Sequence, residues 1–117
     1  MVPSVVPIAM EIREYLTPDG ASPFGAWFDE LDPQAAAKVT IGLSRIGQGN
    51  LSNVKGVGSG VFDFKVNYGP GYRLYFGKDG ETIVILLAGG TKKRQQRDIE
   101  AAQSRWQDYK DRKRGKD

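Results

Sequence analysis

In the stretch TIVILLA, residues 82–88, every side chain after Thr82 is apolar. Successive side chains of a strand point to opposite faces of the sheet, so a strand without a polar side is expected to be covered on both faces. This segment is the natural centre of the fold. The run continues into Gly89 and Gly90 and then turns abruptly basic, with Lys92, Lys93, Arg94 and Arg97 at helical spacing.

Other elements arrange themselves around this strand. MEIREYLT (10–17) alternates, with Met10, Ile12 and Leu16 on one side and Glu11, Arg13 and Tyr15 on the other, which predicts an edge strand before the turn PDG. In SPFGAWFDEL, Ser22 can cap a helix that starts at Pro23, and Phe24, Trp27, Phe28 and Leu31 share one helical face. Asp32 and Pro33 repeat the device, with Ala36, Val39, Leu43 and Ile46 as the buried stripe and Gly47 and Gly49 as the stop. LSNVKGVGSG (51–60) reads as a flexible, glycine-rich connection. VFDFKVN (61–67) and YRLYF (72–76) alternate as strands joined by YGPG, and GKDG supplies a second tight turn. A long helix starts near Thr91, with Ile99, Ala102, Trp106 and Tyr109 on one apolar face. Both tryptophans read as core. The expected class is α+β, in the order β-α-α-β-β-β-α. Its strands form a curved antiparallel sheet, with the helical hairpin packed on the inner face. Residues 1–9 read as a loose leader, with Met10 an alternative start, residues 10–110 as one domain, and 111–117 as a charged tail that frays.

Composition narrows the chemistry. The 117 residues contain no cysteine and no histidine, so disulfides, thiolate or imidazole metal sites and histidine-based triads are excluded. Proton transfer falls to Lys, Arg, Tyr, Asp, Glu or a substrate group. No segment is long and apolar enough to span a membrane and the opening lacks the form of a signal peptide, so a cytoplasmic location is expected. The formal charge of +3 is unevenly spread. Residues 1–50 carry three basic and six acidic side chains, a net of −3, and residues 51–117 carry fourteen and eight, a net of +6. A basic half suits a polyanionic partner, although the same charges also serve to solvate a surface.

Strand alternation assigns these charges to a face. If Phe62, Phe64, Val66, Leu74 and Phe76 point inward, then Lys65, Arg73 and Tyr75 point outward, and the hairpin brings Lys65 and Arg73 within reach of each other. With Lys92, Lys93 and Arg97 at the end of the central strand, and with Tyr68 and Tyr72, this predicts a basic concave patch interleaved with tyrosines. Cations suit phosphates and tyrosines can stack on bases, although tyrosines on strands also serve as cross-strand packing partners. Six phosphate contacts would give a salt slope of about −4 for single strands.

The string GVFDFKVNYGPGYRLYFGKDGETIVILLAGGTKKRQQRDIEAA resembles the RelE/ParE superfamily of toxins from bacterial type II toxin–antitoxin modules, and most closely the addiction module killer, HigB-like branch. YGPGYRLYF, the apolar strand and LLAGGTKKRQQRDI carry the resemblance, which extends over roughly residues 10–110. It implies a RelE-like fold and a metal- and cofactor-free endoribonuclease that cuts messenger RNA in the translating ribosome, leaving a 2′,3′-cyclic phosphate. By motif match Arg73 takes the place of the phosphate-stabilising strand arginine, and Lys65 that of a basic residue on the preceding strand. Lys93 or Arg94 takes the basic position after the last strand. Lys92, Arg94, Arg97, Tyr68, Tyr72 and Tyr75 are the expected RNA contacts. Two positions depart from the family pattern: Asp63 stands in place of a second lysine, and Asp98 and Ile99 lie near the place of a helical tyrosine. Arg73→Ala is expected to abolish toxicity and leave the fold intact, because Arg73 is expected to be exposed. The implied partners are the ribosome, messenger RNA and a cognate antitoxin of helix-turn-helix type, through which promoter DNA would be bound. Some members of the superfamily inhibit DNA gyrase instead, so that reading stays open, as does a non-toxic binding module.

Overall fold

The computed structural model describes residues 9–115. The expected leader falls almost wholly outside them, as do the last two residues of the expected tail. The elements are β1 (Glu11–Glu14), α1 (Pro23–Asp29), α2 (Pro33–Gly47), β2 (Val54–Gly58), β3 (Val61–Val66), β4 (Tyr72–Asp79), β5 (Ile83–Thr91), a 3₁₀ turn (Lys92–Arg94) and α3 (Gln95–Gly115). They form a mixed α+β structure around one five-stranded sheet of order β1-β5-β4-β3-β2.

The two caps act as their sequences predict. Ser22 accepts a hydrogen bond from the Gly25 amide and Asp32 one from the Ala35 amide, both at 2.9 Å, with proline opening each helix. On α2 the fully buried positions are Ala35, Val39, Gly42 and Ile46, and Ala36 and Leu43 lie at the margin of the stripe. The hairpin packs Phe24, Val39 and Ile46 against Phe64, Leu74, Phe76, Val84 and Leu86 on the inner face.

Several expectations are corrected. The glycine-rich connection is not a loose loop: its second half is the edge strand β2, paired with β3 from Val54 opposite Phe64. Gly58 and Gly60 take φ of +98° and +81° with Ser59 at +58°, so the glycines supply the turn of a β-hairpin. The element order gains a strand, and the sheet is mixed, because β1 runs parallel to β5. Just past β1, Tyr15 keeps the side opposite Met10 and Ile12 but is buried there in the outer layer, and Leu16 is 48% exposed.

The largest correction concerns the outer face. It is covered by α3, whose Ala102 and Trp106 bury against Val61, Tyr75, Ile85, Leu87 and Ala88, with Ile99 and Tyr109 packed beside them. A bulge between Tyr75 and Phe76 lets both Leu87 and Ala88 face this layer. The all-apolar β5 thus has helices on both sides. Trp106 lies flat against Gly77, where a Cβ would come within 2.5 Å of the ring. No helix of the described residues is long and apolar enough to cross a membrane.

The expected fraying tail is instead helical to Gly115, because its charges are tied down. Arg112 bonds Asp108 and the Leu16 carbonyl, and Tyr15 donates to Asp108 at 2.7 Å. Asp79 accepts from both Tyr109 and Lys113 at 2.6 Å. The Lys113 ammonium and then the Tyr109 hydroxyl hold the Asp79 carboxyl below its ordinary pKa, and burial, with the Asp79 bond, pushes Tyr109 up to about 12. Lys113 is 60% exposed, so Asp79→Asn is expected to cost only about 0.5–1 kcal/mol at neutral pH. That margin is full above the usual carboxylate range. It shrinks as pH falls, because the unfolded chain takes up its proton first. Urea midpoints of parent and variant at pH 7 and pH 3 check this, and an equal margin at both would contradict it.

Candidate nucleic-acid interface

Alternation does place Asp63, Lys65, Arg73 and Tyr75 on one face. Lys65 is the direct register partner of Arg73, and Asp63 that of Tyr75. On the other side of β4, Gly90 lies opposite Arg73. The 3₁₀ turn therefore begins two residues beyond the arginine's partner, and the Lys92 amide donates to the Gly71 carbonyl at 3.3 Å. Lys65, Arg73 and the basic turn sit at the same end of the sheet.

The face is not open, however. Arg73 is buried, at 8% exposure, and Asp63 is fully buried. Their closest approach is 3.8 Å, from Arg73 Nε to Asp63 Oδ2. At that separation the pair attracts electrostatically without forming a hydrogen bond, and both Asp63 oxygens and Arg73 Nε lack hydrogen-bond partners among the described residues. The Tyr75 hydroxyl is buried and likewise unpartnered. Its pKa is pushed up to about 12, first by burial, then by the Asp98 and Asp63 charges against the opposing Arg73.

Asp98 comes from α3. Gly90 makes room for it, since a Cβ there would collide with its carboxylate. Burial raises the Asp98 carboxyl above its ordinary pKa, against the pull of Arg94, Arg105 and Arg97. Arg105 in turn donates to the Leu87 carbonyl at 2.9 Å, fixing α3 on β5. The result is a polar cluster, Asp63–Arg73–Tyr75–Asp98, enclosed between the sheet and the first turns of α3. Such a cluster of unmet donors and acceptors is costly in a closed core and marks a place where polar partners are expected.

The candidate residues therefore divide. Lys65, half-buried, Arg73 and Tyr75 are brought together. Lys92, Lys93, Arg94 and Arg97 lie at the rim, with no ion pair among the described residues. Arg73 was expected to be exposed and is covered by α3, so Arg73→Ala would strand a buried carboxylate rather than trim a surface. Tyr75 cannot stack on a base while α3 covers it. Tyr72 faces the opposite layer, edge-on to Trp27 at 6.1 Å, because the register turns it inward with Leu74 flanking on the same strand. Tyr68 also leans to the hairpin side, donating to Gln34 at 2.8 Å beneath Lys38. Sequence reasoning overlooked Lys38, Arg45 and Lys55, which cluster beside Lys65. Lys38 and Arg45 lie seven residues apart on α2, a spacing that aligns them on one helical face and was available as a signal.

No family model matches the chain. Over 80 residues it is 36% identical to an uncharacterized protein of Haemophilus influenzae, an alignment spanning 68% of this chain and 81% of that protein.

Proposed function

The chain belongs to the same family as that Haemophilus influenzae protein, and we propose that it is a type II toxin of RelE-like fold that cuts messenger RNA on the ribosome and is silenced by a cognate antitoxin. One observation carries this reading: Lys65 and Arg73 stand opposite each other on adjacent strands, with Lys92–Arg94 starting two residues past Arg73's partner on β5. That arrangement suits a phosphodiester. In the proposed reaction the ribose 2′-oxygen attacks the adjacent phosphorus and the bond to the 5′-oxygen breaks. The products are a 2′,3′-cyclic phosphate and a free 5′-hydroxyl. Arg73 and Lys65 stabilise the charge that builds on the phosphorane oxygens. Asp98, carried on the first turn of α3, takes the 2′-hydroxyl proton once that turn has closed back over the bound RNA, and Lys93 returns one to the departing 5′-oxygen. Because α3 covers Arg73, its first turns must move aside when RNA binds.

The covered arginine also favours a second reading, a gyrase-inhibiting toxin whose Lys92–Arg97 row docks on a protein. A short induction of the chain in growing cells separates the two. The nuclease reading expects amino-acid incorporation to stop within minutes while plasmid supercoiling persists. Relaxed plasmid with continuing protein synthesis would move the assignment to gyrase, and unimpaired growth would remove both.

A further inference from the structure

β3 outruns β2. Their pairing begins with Val54 opposite Phe64, so no β2 residue lies opposite Lys65 or Val66. The gap is a notch between α2, the start of β2 and the end of β3, divided into two adjoining chambers of about 240 and 280 Å³. At about 30 Å³ per water, each has room for a phosphate group with some of its hydration. Lys38 and Arg45 descend from α2, Asn53 and Lys55 come from just before and within the start of β2, and Lys65 and Asn67 from the end of β3 and just beyond it. Lys65 and the two asparagines line both chambers. No carboxylate lines either one, and none of the four cations is in an ion pair among the described residues.

Four unpaired cations with amide donors between them make a surface of one sign with directional hydrogen-bond donors, which attracts anions. Ile41 stands at the rim, 48% exposed, as an apolar contact for a ribose or base. We infer that this notch is a binding site for the phosphodiester backbone of single-stranded RNA, separate from the enclosed Arg73 cluster and joined to it through Lys65. The inference rests on the reading above only for the identity of the ligand. The notch is open in the structure as it stands, so it engages RNA before α3 moves.

Fluorescence anisotropy of the full chain with a 5′-labelled single-stranded 12-mer RNA, across a salt series, tests this. The variants are Lys38→Gln/Arg45→Gln on α2 and Lys92→Gln/Lys93→Gln on the 3₁₀ turn. The α2 pair is expected to weaken binding at least fivefold and to reduce the salt slope by about 1.4, or about 0.7 for each phosphate that is no longer neutralised. A labelled polyglutamate of equal length is expected to show no such dependence on the α2 pair. An unchanged slope in the α2 pair, with a reduced slope in the 3₁₀ pair, would overturn the notch and leave the RNA reading standing. Equal losses for RNA and polyglutamate would overturn phosphate recognition. RNA binding too weak to detect in the parent would overturn both.

Discussion

Replacing Arg73 with methionine alone is expected to cost about 3–5 kcal/mol, because it leaves the fully buried Asp63 carboxylate without its cation. For a domain whose total stability is about 5–15 kcal/mol, that is enough to leave much of the chain unfolded at growth temperature. The companion expectation points the other way. Asp63→Leu with Arg73→Met removes both charges and fills the space with apolar atoms, and such replacements are commonly neutral or stabilising by about 1–4 kcal/mol. The parent pair lies 3.8 Å apart without a hydrogen bond, which leaves little to lose. Urea unfolding of the parent, both single variants and the double variant measures the coupling directly. If Arg73→Met unfolds at the parent's urea concentration, the carboxylate is not held by the arginine and the enclosed cluster is misassigned. The result also determines which variant can probe function. Arg73→Lys keeps a cation opposite Asp63 and gives up the forked donor set that grips a phosphate.

Trp106→Ala is expected to be as damaging by another route. The side chain is 6% exposed, lies flat on Gly77 and stacks on Tyr109 with ring centroids 5.3 Å apart. Truncating a buried tryptophan costs about 3–5 kcal/mol in lost transfer free energy and in the cavity left behind. Since about 1 kcal/mol shifts the melting midpoint of a domain this size by roughly 4–8 °C, a fall of more than about 10 °C is expected by circular dichroism. The close approach gives a specific signature. Gly77→Ala is expected to destabilise the parent, where its Cβ meets the indole, and to be tolerated in the Trp106→Ala background, where the space is empty. Additive losses in the double variant would show that the indole does not rest on Gly77.

Much of this architecture was legible in the sequence. The period-2 alternation of β3 and β4 put Lys65, Arg73 and Tyr75 on one face, and the Ser22 and Asp32 caps fixed both hairpin helices. The apolar stripe Ile99–Ala102–Trp106–Tyr109 marked a packed helix. What it packs against was not legible from α3 alone, since a stripe names a face and not a partner. Yet TIVILLA already required cover on two sides, and the hairpin supplies one. An open outer face conflicts with that strand, and the exposure expected of Arg73 and Tyr75 failed for this reason. β2 was not legible because glycines that make a hairpin turn look the same in sequence as glycines that make a loose loop. The parallel direction of β1 was hidden because alternation carries no strand direction. Asp63 was visible on the site's face, but its burial depended on where α3 lies. Lys38, Arg45 and Lys55 escaped sequence reasoning because only the folded chain brings them, from α2 and β2, beside Lys65 on β3.

The most direct test of the proposed function is a map of messenger RNA 5′ ends after a short induction of the chain without antitoxin, with Arg73→Lys alongside. The account predicts new ends inside translated codons, bearing 5′-hydroxyls. They are lost in Arg73→Lys, although that variant melts near the parent's temperature. Growth arrest with no new ends, or ends that persist undiminished in Arg73→Lys, would contradict it.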